Sequence, residues 1–172
     1  MRKVILQLAI SLDGYIEGPD GEFDWCFTDQ DYGMSTFYKR IDSLFLGRKS
    51  YELLLTMGDE VMPGMPKLTE YVFSTTLKDV RPGAILVKGD AEVAVRKIKN
   101  EPGKDIWLFG GASLAASLLD LGLLDEIILA VHPIVLGGGK RLFSHLKKRV
   151  PLTLTDTKTY SSGLVMLTYS LP

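Results

Sequence analysis

The chain has 172 residues, 46% of them hydrophobic and 24% charged, and a formal net charge of −1. This suits one globular domain with a sizeable core and argues against a broad nucleic-acid or anionic-membrane surface. Cys26 is the single cysteine, so no internal disulfide forms, and with only His132 and His145 a Cys/His zinc site lacks ligands; no metal is expected, and the counts suit a reducing cytoplasm.

The first predicted element is a buried strand over residues 4–12, in "MRKVILQLAISLDG". Its basic start precedes an apolar run, as in a signal peptide. The run is short, is interrupted by Gln7, and stops at Asp13-Gly14 with no small-residue cleavage pattern. No stretch approaches the ~18 uninterrupted apolar residues of a membrane span. A helix is expected over 31–40, with Gly33 inside it. A strand over 43–46 then turns through Gly47 into a helix that opens on Arg48 and Lys49, ends at Gly58, and places Tyr51, Leu54 and Leu55 on one face.

Short strands at 71–73 and 84–87 follow. Asp90 is placed to cap "AEVAVRKIKN", where Ala94 and Ile98 fall four apart, before the turn "NEPGK". A strand over 106–109 runs into Gly110-Gly111 and then a helix with Leu114, Leu118 and Leu121 on one side and Gly122 as its stop. After a strand at 127–131 the pattern changes. "PLTLTDTKTY" and "LVMLTYSLP" alternate about Ser161-Ser162-Gly163, which reads as a hairpin. Strands alternating with helices, several lacking polar alternation, predict an α/β layered sheet, mostly parallel with an antiparallel edge, in a single domain over 1–172.

Three junctions share one design: a buried strand, a small or polar turn, then a helix. They are "LFLGRKSYE", "YVFSTTL" and "IWLFGGASLAASLL". In open α/β sheets ligands bind outside the carboxyl ends of strands, and free N–H groups at helix starts suit phosphate oxygens. Arg48 and Lys49 oppose the positive end of a helix dipole when nothing is bound, and stop opposing it once phosphates arrive. Ser74 and Thr75 would add hydroxyl donors. Two phosphate-binding turns plus an arginine fit a dinucleotide, and a terminal phosphate beside Arg48 fits NADP better than NAD. Against this, cations beside a turn are usually solvated, and paired glycines often mark only a tight turn.

Other motifs fail on spacing. "GGGKRL" at 137–142 lacks the Ser/Thr and the earlier glycine of a Walker A loop, and there is neither G-x-G-x-x-G after a strand nor G-x-S-x-G. His132, at a strand end, reads as a structural histidine.

These residues bring a resemblance with them. "AISLDGYIEGPDG", "FDW", "DSLFLGRKSYE", "VFSTT", "WLFGGASLAASLLDLGLLDEI" and "VHPIVLGGGKRLF", in that order and spacing, resemble the dihydrofolate reductase-like superfamily, in its bacterial branch built like the C-terminal reductase domain of riboflavin biosynthesis protein RibD. The resemblance implies a dihydrofolate reductase-like three-layer sandwich around a central, mostly parallel eight-stranded sheet with an antiparallel C-terminal hairpin, an NADPH cofactor and a homodimer. It implies that Gly47, Arg48, Lys49 and Ser50 form one phosphate turn, with Arg48 on the 2′-phosphate. Ser74 and Thr75 fall at adenosine 2′-phosphate contacts, Gly110, Gly111, Ala112 and Ser113 at the second pyrophosphate cradle, and Ala9 and Ile16 at the backbone positions that hold the nicotinamide carboxamide.

Departures bear on the substrate. The riboflavin-pathway reductases usually carry Glu before Gly-Gly, where this chain has Phe109, and their Asp-Asn-Pro-x-Leu-Thr-x-Arg stretch is replaced by "ELLLTMGDEVMPGMP". The acid that follows the first Trp in dihydrofolate reductases matches Gln30, flanked by Asp29 and Asp31. The expected function is NADPH-dependent hydride transfer to a pteridine- or pyrimidine-like heterocycle or a small carbonyl compound, with Asp13 and Trp25 on the substrate side and Asp29 or Asp13 as proton donor if burial raises a pKa. The alternative is an NADP-binding dimeric protein of the same fold without efficient catalysis. Nucleic-acid binding has no basic stripe to support it.

Overall fold

The computed structural model describes residues 1–58, 64–144 and 146–172. His145, and positions 59–63 of the stretch at 52–66, lie outside the described residues.

Strand β1 (Val4–Ser11) carries an apolar residue at nearly every position because both its faces are covered. It pairs in parallel with β6 (Asp105–Gly110) on one side and with β7 (Glu126–His132) on the other. Beyond β6 lie β3 (Ile41–Gly47), β4 (Thr69–Phe73) and β5 (Ile85–Val87), all parallel. Beyond β7 lie β10 (Val165–Ser170), antiparallel to β7, and β9 (Thr153–Thr159), antiparallel to β10. The eight strands run β5-β4-β3-β6-β1-β7-β10-β9.

Alternation along β1 separates two cores. Val4, Leu6 and Ile10 pack with Val95 and Ile98 of α3 (Ala91–Asn100) and with Ala115, Leu118 and Leu119 of α4 (Ala112–Asp120). Ile5 faces the other layer, with Phe37 of α1 (Met34–Arg40), Tyr51 of α2 (Arg48–Met57) and the fully buried Trp107. The Trp107 indole N–H donates to the Gln7 carbonyl at 3.0 Å, so this large ring is buried without an orphaned donor. Three layers result, as expected.

The helix starts and stops follow local chemistry. Asp90 accepts from the N–H groups of Glu92 and Val93 and so caps α3. Gly122, at φ 66°, ends α4. Gly33 lies outside α1 rather than within it: at φ 83° it is left-handed, so the helix begins only at Met34. The Asp31 carboxylate takes the Gly33 and Ser35 N–H groups just before that start. Leu55 departs from its expected face and is exposed, while Leu54 packs on the core. A two-stranded sheet of β2 (Tyr15–Glu17) and β8 (Lys140–Arg141) was not anticipated. No helix among the described residues is long and apolar enough to cross a membrane.

The amino ends of the parallel strands are closed by ion pairs. Buried Arg2 bonds to Asp42 and Ser43, and Lys99, 6% exposed, meets Asp125 at 2.7 Å. Arg40 grips Glu126 through two bonds of 2.9 and 3.0 Å. The carboxyl ends carry the turns singled out above.

Candidate functional site

Parallel strands bring their carboxyl ends to one edge, so the sheet order fixes the order of the turns. Ser74 follows β4, Gly47 and Arg48 end β3, Gly110-Gly111 end β6, Asp13 follows β1, and His132 ends β7. Four inter-strand steps of roughly 4.8 Å spread these groups over about 19 Å.

The glycine turns sit side by side. Leu46 is paired with Gly110 and Gly47 with Phe73. A Cβ at Gly47 would lie 3.7 Å from the Gly111 nitrogen, and one at Gly110 or Gly111 would lie 3.3 Å from Ser50 Oγ. Gly47 and Gly111 have ordinary extended backbones, so glycine there leaves space rather than relieving strain. Gly110, at φ 153°, needs glycine for its backbone as well.

Neither α2 nor α4 has a side-chain cap or an acidic residue in its first turn, in contrast to α3. Their first N–H groups therefore lack the side-chain acceptor that Asp90 gives α3. Arg48 and Lys49 are exposed at the start of α2, and Ser50 is half-buried between them and the paired glycines. Arg48 has a partner that the sequence reading did not consider: its Nη1 bonds Glu52 Oε1 at 3.1 Å, one turn along the same helix. Lys49 adds a second exposed positive charge. Ala112 is buried, leaving only its backbone for any contact, and Ser113 is exposed.

Ser74 is partly spent on its own turn. Its Oγ accepts from the N–H groups of Thr76 and Leu77 at 3.2 and 3.0 Å. Thr75 is exposed beside it. Ala9 is half-buried in β1 and pairs with Ala130, and Ile16 is half-buried in β2.

Asp13 is not a poised acid. Its carboxylate accepts from Ser11 Oγ at 2.7 Å, Gly137 N–H at 2.8 Å and Leu136 N–H at 3.1 Å, tying the end of β1 to the segment after β7. Desolvation pushes its pKa upward, but the hydrogen bonds together outweigh this and bring it down to about 2. The condition set for Asp13 as proton donor, a raised pKa, is therefore not met. Asp29 is exposed, and its Oδ1 accepts from the Tyr32 hydroxyl at 2.7 Å.

Trp25 packs edge-on against His132, with ring centroids 5.3 Å apart, and its indole N–H is buried without a hydrogen-bond acceptor. His132 itself is satisfied. Its Nδ1 pairs with the Ala130 carbonyl at 2.9 Å, and its Nε2 accepts from Phe27 N–H at 3.0 Å, which fixes the neutral tautomer. Desolvation lowers its pKa, opposed by the Ala130 contact. The Cys26 thiol is pushed up to about 11 by burial and by the charge of Asp24, leaving it unreactive.

Sequence reasoning missed an aromatic corner beside β7. Buried Tyr32 packs with Ala130 and Leu164, stacks with Phe27 at 6.4 Å and meets Tyr160 edge-on at 4.9 Å. Its hydroxyl also lies 3.0 Å from Ser162 Oγ, in the hairpin turn. Tyr32 adopts φ 48°, rare without glycine. Its partners are up to 130 residues away in sequence, so no local pattern announces them. Altogether the edge offers small, cationic and N–H-bearing turns at one end and aromatic rings with a carboxylate at the other.

Comparison with known proteins agrees with this architecture. The family model described as RibD C-terminal domain matches residues 2–166. The uncharacterised protein YyaP of Bacillus subtilis (strain 168) is 43% identical over 98% of this chain and 94% of its own. A Shewanella sp. PV-4 structure, provisionally named for riboflavin biosynthesis, superposes with a TM-score of 0.84 at 27% identity, covering 99% of both chains. Dihydrofolate reductase from Enterococcus faecalis, solved with NADP(H), gives a TM-score of 0.67 at 16% identity, covering 98% of this chain and 96% of that one; at that identity it shows shared fold.

Proposed function

The chain belongs to the RibD C-terminal domain family, and from that premise we propose that it is an NADPH-dependent oxidoreductase that reduces a flat heterocycle of pteridine or pyrimidine type, or a small carbonyl compound. The observation that carries the proposal is the meeting of two uncapped helix starts at one pair of adjoining glycine turns. The space that a Cβ on Gly47, Gly110 or Gly111 would fill is the approach a pyrophosphate needs.

In this reading the N–H groups at the starts of α2 and α4, with Ser50 and Ser113, hold the pyrophosphate. Arg48 neutralises the adenosine 2′-phosphate, with Thr75 and the Ser74 hydroxyl hydrogen beside it, and Lys49 adds its charge near the pyrophosphate. The backbones of Ala9 and Ile16 orient the nicotinamide, which when bound supplies the hydride. Trp25 and the aromatic corner exclude water and press the substrate ring into place. Asp29 is exposed and so is not an acid held by burial; oriented through Oδ1 by Tyr32, it relays a proton from water to the substrate through Oδ2. Asp13 acts on the substrate side by fixing the segment at 136–137 rather than by donating. A reducing cytoplasm suits the free Cys26 thiol.

One observation favours the second reading, a dinucleotide-binding protein without efficient catalysis: of the two candidate acids, Asp13 is committed to structure. Titration separates the readings. NADPH is added while Trp25 and Trp107 fluorescence is followed, and absorbance of the reduced nicotinamide is then followed with a panel of pterins, pyrimidines and carbonyls. Turnover supports the reductase, and binding without turnover on any of the panel supports the second reading. Failure to bind either NADPH or NADH removes both.

A further inference from the structure

The two edges of the large sheet differ. At one edge β5 has three residues. At the other, β9 runs for seven, Thr153–Thr159, every one exposed. Its sequence, TLTDTKT, is rich in β-branched threonine and has neither proline nor glycine. A long open edge of strand-forming residues is a template for another strand; a register shift at Thr155 interrupts this edge and leaves 156–159 in regular register.

The hairpin register tells which backbone groups face outward. Tyr160 N–H donates to the Leu164 carbonyl at 2.9 Å, and Lys158 stands opposite Met166 and Asp156 opposite Thr168. Bonded and non-bonded pairs alternate in an antiparallel ladder, so Thr157 and Thr159 turn their N–H and C=O groups to the open side. The Thr157 N–H agrees, since the Asp156 carboxylate takes it at 2.9 Å in place of a ladder partner.

We infer that β9 pairs antiparallel with β9 of a second copy of this chain, about a two-fold axis through Thr157, joining two eight-stranded sheets into one. The charge pattern selects both the occupant and the register. With Thr157 opposite itself, Asp156 of each copy stands across from the partner subunit's Lys158, in a non-bonded pair where side chains approach most closely. Moving the axis to residue 156 sets aspartate against aspartate, and moving it to 158 sets lysine against lysine. A one-residue slip turns outward-facing backbone against inward-facing backbone and breaks the ladder. One patch that complements itself in this way is the form an isologous contact takes. In the pair, the Thr157 carbonyls accept the Thr157 N–H groups and release the Asp156 carboxylates for the lysines. The family resemblance implies only that copies pair; the face and register rest on β9 itself and not on the reductase reading.

The test uses the full chain, by sedimentation and by light scattering across the micromolar range. The wild type is expected to be a dimer. Asp156→Lys and Lys158→Asp each set like charges opposite one another and weaken the dimer by about tenfold, and the double reversal, which restores opposite charges, recovers it. Thr157→Pro removes an outward N–H while leaving the bonds to β10 intact, and yields monomer. Should a variant fail to fold by circular dichroism, amide exchange on the wild type decides: Thr157 and Thr159 become protected as protein concentration rises. A wild-type monomer, a dimer indifferent to both charge reversals and to Thr157→Pro, or exchange at these amides that ignores concentration overturns the inference.

Discussion

Arg48 occupies the first turn of α2, with Glu52 one turn below it at 3.1 Å. The pair is about half exposed on both sides, so in the free protein it contributes little, roughly 0.3–0.5 kcal/mol. It nevertheless holds the guanidinium in place and offsets part of the charge at the helix start. Arg48→Ala is expected to weaken NADPH by roughly 1.5–3 kcal/mol, a charge-assisted bond, while barely changing NADH. Glu52→Gln removes the competitor and is expected to tighten NADPH by a few-fold. Equal losses for both cofactors in Arg48→Ala, measured by fluorescence titration, would place Arg48 away from the 2′-phosphate. His132 supports a second prediction. Its Nε2 accepts Phe27 N–H, so protonation sets donor against donor. Because folding depresses its pKa below the ordinary 6.5, the unfolded chain binds the proton more readily, and the stability from neutral His132 is complete above about 6.5 and falls as pH drops below it. Thermal melts from pH 8 to 5 should lose stability in the wild type and change less in His132→Gln; identical slopes would refute this account.

Among the elements, what was legible in the sequence is what is local. Asp90 ahead of α3 and Gly122 after α4 act within one helical turn, and both act as read. The largely apolar runs of β1, β6 and β7, with little polar alternation, announced two covered faces. Gly33 misled because a left-handed glycine and a mid-helix glycine look alike without φ. The β2–β8 sheet escaped because three and two residues, paired across an irregular register, are too short to show a period. The site divides in the same way. The glycine turns were visible as motifs, whereas the clamp from Asp13 to Gly137 spans 124 residues and the bond from Phe27 to His132 spans 105, distances over which only the fold relates side chains. At this scale Gly111→Ala is informative. Its backbone suits alanine, and the new Cβ meets Ser50 Oγ at a tight 3.3 Å. The variant is expected to fold with a loss of at most about 1 kcal/mol, yet to bind NADPH at least about tenfold more weakly, about 1.4 kcal/mol. Unchanged affinity would remove the pyrophosphate from this cleft.

For the molecule as a whole, the two ends of the parallel strands are built for different tasks. The amino ends are locked by Arg2, Arg40 and the Lys99–Asp125 pair, while the carboxyl ends carry small residues and uncapped helices. Stability and binding should therefore respond to different substitutions. Asp125→Ala strands a buried lysine and removes the acceptor of Val4 N–H, costing about 3 kcal/mol, and is expected to leave NADPH affinity unchanged in the folded fraction. A parallel fall in affinity, measured by titration well below the melting temperature, would show that the two ends are coupled.

Ser162 meets the Tyr32 hydroxyl across 130 residues, and β10 covers the open side of β7 only once residues 165–170 have been made. On the ribosome, the corner around Asp29 must wait for the hairpin strands at 153–159 and 165–170 to emerge from the exit tunnel. A nascent chain stalled before the hairpin has the Gly47 and Gly110-Gly111 turns but no Ser162 for Tyr32, so on the proposed reading cofactor affinity arises before the carboxylate of Asp29 is held in place.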